Sequence, residues 1–358
     1  MFEDDTIPSQ EQLAAPAANE QPVALPDEHA AQIAARAALL ADLDERIRLL
    51  PKHPLNKRPV KILTRSIQAA FLEICGAAAY KRPGYVFGAD FRVGKSTAVS
   101  MIKEKLRESL PHVAVGMIVA QDYKKNRNVS PRMFWGDVLF AFGLTDSGNS
   151  QDRKFRVHSA IIAACREADG TDFVLLIDEG QNWGEDEYTH LRDLANLLLD
   201  PHGISVTTVV FGDPRVEALG SVNRLRRKDL WARFMMQPRQ FHGIRDKDDL
   251  RFFLNEHDST KRCEYPAGSG ISYTEYFLPR AYANGWRLSG QTDQLWDALV
   301  RAAQTVSQQV TDVGMQWVGD AVIRFLTLHL QRDVPEFMPE PGDWDAAVAL
   351  SGFVESLV

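Results

Sequence analysis

At 358 residues the chain exceeds one compact domain of ordinary size, so a core domain with a smaller companion is expected. Its 45% hydrophobic and 25% charged residues are ordinary for a globular protein, and no apolar run approaches the ~20 residues of a bilayer span. The net charge of −7 is uneven: residues 1–50 hold −7 and residues 334–358 hold −5, leaving +5 on the centre, which permits a polyanionic partner.

Cys75, Cys165 and Cys263 are far apart and form no CxxC pair, against both a disulfide framework and a zinc site. The acidic start MFEDDTIPSQ has no basic-then-apolar signal, so cytoplasm is the expected compartment.

Residues 1–28, with Pro8, Pro16, Pro22 and Pro26, are too poor in apolar groups to fold alone and are expected to be a disordered acidic tail. From Asp27 an amphipathic helix carries Ile33, Leu39, Leu40, Leu43, Ile47 and Leu50. The basic, proline-broken link PKHPLNKRPVK completes a segment 29–60, and a second helix is expected from about Ile62 to Tyr80. Strand and helix signals then alternate: GYVFG, KSTAVSMIKEKLRESL, HVAVGMIVA and a helix opened by Ser130 and Pro131. The helix RKFRVHSAIIAACREADG, the buried strand DFVLLIDE, a helix through LRDLANLLLDPHG and the strand ISVTTVVFG follow. Apolar strands alternating with helices predict an α/β domain over 61–245, its parallel sheet flanked by helices on both faces. Beyond it only helical periods remain, so 246–333 is expected to be a smaller α-helical domain and 334–358 an acidic tail.

Ala89–Ser96, ADFRVGKS, fits [AG]-x-x-x-x-G-K-[ST] between a strand and a helix, the setting a phosphate loop requires. Gly88, Ala89, Arg92, Val93, Gly94, Lys95, Ser96 and Thr97 are the expected nucleotide contacts. Main-chain N–H groups at a helix start face phosphate, Lys95 reaches the β- and γ-phosphates and Ser96 binds Mg²⁺. The apolar strand FVLLIDE delivers Asp178 as the second magnesium-organising group and Glu179 as general base on water. Asp213, or a threonine of TTVVFGDP, is a candidate to sense the γ-phosphate; Gly212-Asp213-Pro214 as an ordinary turn is the other reading. Arg233, on the apolar stretch LWARFM, is the chosen arginine finger for a neighbouring subunit's nucleotide; a solvated basic face is the other reading. The nine histidines form no HxxxH or HExxH pair, so no further metal centre is indicated.

GADFRVGKST, LLIDEGQNW with its Leu-rich helix, and VVFGDPRVEAL together resemble an AAA+ ATPase, and within that class the TnsC/TniB family of transposon target-selection ATPases. The resemblance covers roughly 60–330, and the later FLPRAYANGWRLS and GMQWVGDAVIRFL resemble that family's lid. It implies ATP and Mg²⁺ as cofactors, assembly as a ring or filament around duplex DNA, and a bridge between a target selector and a transposase. ATP hydrolysis, slow and regulatory, then controls disassembly. A helicase loader or a secretion-associated ATPase shares the same motifs and is the alternative. The lid's nucleotide-sensing arginine is one of Arg280, Arg287 and Arg324. Family members present DNA-contacting residues between the two nucleotide motifs. There this chain has Lys124, Lys125, Arg127 and Arg132, then Arg153, Lys154 and Arg156, suited to phosphate contacts without base readout.

Overall fold

A computed structural model of the chain describes residues 26–57, 59–82, 84–122, 130–216, 226–235 and 238–357. Its centre is a five-stranded parallel sheet of β1 (Gly84–Gly88), β2 (Val113–Val119), β3 (Asp172–Asp178), β4 (Ser205–Gly212) and β5 (Pro238–Gln240). The strand order is β2-β3-β4-β1-β5. The four longer strands are rich in Val, Ile, Phe and Leu, the composition of strands covered on both faces.

One face carries α3 (Arg65–Ala79) and α4 (Lys95–Ser109), where Ile74 and Ile102 pack on Phe87, Val174 and Phe211. The rings of Phe87 and Phe211 stack at 4.8 Å across β1 and β4. The other face carries α5 (Pro131–Ala141), α6 (Ser150–Glu167) and α7 (Glu185–His202), burying Phe134, Trp135, Val157, Ile161 and Leu191 against Ile177 and Val210. Pairing Gly88 with Gly212 and Val119 with Asp178 brings the carboxyl ends of the inner strands to one edge, where ligands of open parallel sheets bind.

The helices packed on the sheet lie close to where they were expected, whereas the single helix expected from Asp27 to Leu50 is broken at Asp42, whose side chain caps Glu45 N. α6 begins at Ser150 because Asn149 caps the N–H groups of Gln151 and Asp152, while Asp152 caps Asn149 in return. β5 was not foreseen: it is three residues long and starts on a proline, which an edge strand tolerates.

The second unit is built from α8 (Lys247–Asp258), α9 (Tyr273–Phe277), α10 (Pro279–Ala283), α11 (Thr292–Thr305), α12 (Met315–His329) and α13 (Asp343–Ala349). It extends beyond the expected limits at both ends. Phe337, Trp344, Val348 and Phe353 are buried in its core, and Trp344 stacks on Phe325 at 3.8 Å. Residues 334–357 are therefore part of the packed helical unit rather than an acidic tail, because their aromatic and aliphatic side chains outweigh their charge. Of the expected tail 1–28, only 26–28 fall within the described residues.

The N-terminal segment also belongs to this unit. α1 (Pro26–Ala41) and α2 (Leu43–Leu49) dock through an ion pair between Arg36 and Glu275 and through buried Arg46. The Arg46 guanidinium donates to the Tyr276 and Phe277 carbonyls, and the Tyr276 hydroxyl donates to the Arg46 carbonyl. Leu55 and Ile62 complete the same core, so the basic link is a structural strap. The two units meet at a tight joint: Ile244 and Val313 form an antiparallel bridge, and Asp312 accepts from Gly243 N at 2.7 Å. A Cβ on Gly243 would lie 2.0 Å from the Val313 carbonyl oxygen, so only glycine fits.

Candidate nucleotide site

A cleft of about 580 Å³ opens at this edge, between the sheet and the helical unit. One wall is the phosphate loop, from Phe91 through Thr97; Glu179 lies beside it. Met315, Gln316, Gly319 and Asp320 of α12 form the opposite wall. Pro59, Val60, Ile62, Ile67 and Phe253 form an apolar end, which suits the flat, weakly polar face of a base. Sequence reasoning missed this end, because the strap that forms it carries the signal of a solvated basic linker.

The loop has the local geometry that phosphate requires. Gly94 sits at φ 95°, where a side chain is strained, and starts α4 with no side-chain cap. The first N–H groups of α4 are thus left for an anion, at the positive end of the helix dipole. The Lys95 ammonium is folded back onto the Ala89 and Asp90 carbonyls at 3.1 and 2.9 Å. Gly88 and Ala89 serve the sheet instead of the cradle: the Gly88 carbonyl accepts from Phe241 N, and Ala89 N donates to the Gly212 carbonyl. Of the expected contacts, Arg92, Val93, Gly94, Lys95, Ser96 and Thr97 line the cleft.

β3 delivers Asp178, buried, with its carboxylate hydrogen-bonded to the Ser96 side chain and to Glu179 N. Burial pushes the Asp178 carboxyl above the usual range; the Ser96 bond acts the other way, and the Glu179 charge adds to the rise. A buried carboxylate beside a hydroxyl, under-compensated by its surroundings, is the donor pair that a hydrated Mg²⁺ satisfies. Ser96, Asp178, Lys95 and the free N–H groups of α4 therefore fit a magnesium–nucleoside triphosphate. Among the described residues no cluster of three or more His, Cys, Asp or Glu forms another metal site.

Glu179 adopts φ 58° and so turns its side chain out of the strand into the cleft edge. Its Oε2 accepts from the Gln181 amide at 2.5 Å. Asp213, at the end of β4, is buried and bound bidentately by Arg215. Burial works to raise its pKa, but the Arg215 hydrogen bonds and charge prevail and hold it below the usual carboxylate range.

The other expected residues are distributed differently. The Arg233 guanidinium, half-buried outside the cleft, donates to Asn196 Oδ1 at 2.5 Å. None of the three lid arginines lines the cleft: Arg280 is exposed, Arg287 lies 3.6 Å over the Tyr282 ring, and Arg324 faces a second hollow between α12 and α13. Lys124, Lys125 and Arg127 lie outside the described residues. Arg153 was expected on a DNA-binding face, but its side chain is only 6% exposed. It pairs with Asp146 at 2.8 Å and donates to the Arg132 and Gly148 carbonyls, tying α6 to the start of α5. Arg132 is exposed, Lys154 is half-buried, and Arg156 is held to Ser147 at 2.8 Å.

Residues 78–219 match the family model of an AAA domain. Among solved structures, the ORC2 protein of Aeropyrum pernix is similar at a TM-score of 0.54 and 7% identity, over 83% of this chain and 71% of that one. The ORC1 protein of Aeropyrum pernix, in complex with DNA, gives 0.46 and 12%, over 81% and 66%. Domain III of the Thermotoga maritima replication initiation protein DnaA gives 0.45 and 13%, over 82% and 95%. No curated protein matches the chain. Residues 78–219 thus resemble an AAA domain, and the parallel sheet with the helical unit at its carboxyl edge has the AAA+ fold.

Proposed function

We propose that the chain is a magnesium-dependent ATPase that oligomerises on double-stranded DNA and regulates DNA transposition. In this reading it bridges a target selector to a transposase, and hydrolysis releases the assembly. The observation that carries the ATPase part is one cleft lined by Lys95, Ser96 and Glu179 beneath a helical wall, with buried Asp178 bonded to Ser96 behind it.

Lys95 and the N–H groups opening α4 hold the triphosphate. Ser96 and Asp178 hold the metal, which when bound neutralises phosphate charge. Glu179 takes the proton of the attacking water. Arg233 lies outside its own cleft, on the helical segment Trp231–Met235, as a finger for a neighbouring protomer requires; to act it must exchange Asn196 for that protomer's phosphate. The DNA and transposition parts rest on the resemblance to target-selection ATPases. The residues proposed to meet DNA phosphates are Arg132, Lys154 and Arg156, joined by Lys124, Lys125 and Arg127 outside the described residues.

The test combines a DNA-stimulated ATPase assay with electron microscopy of the protein on duplex DNA in a non-hydrolysable ATP analogue. Rings or filaments on duplex with slow turnover are expected. Lys95→Ala abolishes ATP binding and assembly together, while Glu179→Gln keeps assembly and blocks release. Preference for single strands, or strand unwinding, overturns the reading in favour of a motor or loader.

A further inference from the structure

Gln181 is buried at 6% exposure, an unusual place for a primary amide, and both ends of that amide are used. Its Nε2 donates to Glu179 Oε2 at 2.5 Å, and its Oε1 accepts from Asp213 N at 3.1 Å. The reverse orientation would set a carbonyl against a carboxylate and an NH₂ against an N–H, so these partners fix the amide.

Space for it is made by glycine on two sides. A Cβ on Gly212 would lie 2.7 Å from Gln181 Oε1, and one on Gly180 would lie 2.1 Å from Val210 Cγ1. Glu179 itself is held at φ 58°, a strained backbone for a non-glycine residue that persists only when its surroundings enforce it. The short turn Gly180–Asn182 is pinned further by Tyr188, whose hydroxyl donates to the Gly180 carbonyl, and by Asn182, which donates to the Ala120 carbonyl. A single rigid amide thus spans from the carboxylate at the end of β3 to the main chain at the end of β4.

Resting on the ATPase reading above, we infer that Gln181 is the positioning residue for Glu179: it holds one carboxylate oxygen toward β4 and leaves the other to orient water. The same amide ties the aim of Glu179 to the main chain beside Asp213, so a shift of the β4 turn displaces the base.

The test uses the full chain with MgATP, comparing wild type, Gln181→Ala and Gln181→Glu for turnover, KM, fluorescent ATP-analogue binding and melting temperature. Gln181→Ala should lower kcat roughly tenfold or more with KM within about twofold, since misaiming a catalytic group affects the chemical step and not binding. Gln181→Glu keeps the side chain's size but puts a carboxylate oxygen where the N–H donor was, so it should lower kcat at least as far, again with KM within about twofold. A purely structural amide would lower the melting temperature without separating kcat from KM. Unchanged kcat in either variant, or raised turnover in Gln181→Ala, overturns the inference. If instead wild type shows no turnover and Lys95→Ala changes nothing, the ATPase reading itself fails, a result separable from the other outcomes.

Discussion

Arg92, at the tip of the phosphate loop, and Gln316, in the first turn of α12, hold each other twice. The Arg92 guanidinium donates to Gln316 Oε1 at 3.0 Å, and Gln316 N donates to the Arg92 carbonyl at 3.3 Å. Arg92 reaches this position at φ 64°, and Gly314 allows the approach, since a Cβ there would lie 3.1 Å from the same carbonyl. Two residues earlier, Asp312 and Val313 form the joint between the units. Residues 312–316 therefore connect that joint directly to the loop that is to hold phosphate. The wall where a lid arginine was expected carries Gln316 instead, with the cation supplied by the loop itself.

Removing either partner should loosen the helical wall over the cleft. Gln316→Ala and Arg92→Ala are each expected to weaken ATP-analogue binding roughly three- to tenfold, the worth of a partly exposed charged hydrogen bond. The double variant should be no worse than the poorer single one; strict additivity in a double-mutant cycle would show that the two do not act as a unit.

Arg153 and its neighbours should separate cleanly. Arg153→Ala strips Asp146 and two carbonyls of their donor and is expected to destabilise the protein by about 2 kcal/mol in urea unfolding. Arg132→Ala and Lys154→Ala should leave the unfolding midpoint alone and reduce the salt dependence of duplex binding. An Arg153→Ala protein of normal stability with a reduced salt slope would return Arg153 to the DNA face.

His53 gives the strap an acid sensitivity. Its ring is fully buried among Tyr265, Tyr273, Tyr276 and Phe277, and Nδ1 accepts from Leu55 N. Burial, with His257 nearby, drops its pKa from 6.5 to about 3, so the folded chain refuses a proton that the unfolded chain takes up below pH 6.5. The stability this gives is complete above pH 6.5 and is lost as pH falls toward 3, at about 1.4 kcal/mol per pH unit. Unfolding midpoints at pH 7 and pH 5 measure the slope, and His53→Phe should flatten it.

Trp344 tests whether the C-terminal residues are structural. Trp344→Ala removes a ring stacked on Phe325 and is expected to cost about 3 kcal/mol. Because the helical unit also walls the cleft, ATP-analogue binding should weaken as that unit loosens. Unchanged unfolding would mean that 334–357 contributes nothing to the fold.

The alternating periods of residues 84–212 determined the four longer strands of the sheet, and the spacing of glycine, lysine and serine at the start of α4 determined where phosphate should sit. Both are local signals: an apolar strand covered on two faces and a helix-opening loop are written in contiguous residues. Contacts between distant segments left no such mark. The strap 50–62 carries basic and proline residues, and only packing of Leu55 and Ile62 on α12 and its neighbours makes it a cleft wall. Arg153 has the composition of a DNA contact, yet three partners from 132–148 bury it. Gln181 stands two residues after the base in the chain, but its role depends on β4, which enters 24 residues later and pairs with β1 and β3. Periodicity and motif spacing record what a segment is; which polar side chain is satisfied, and by what, is decided only when the strands are brought side by side.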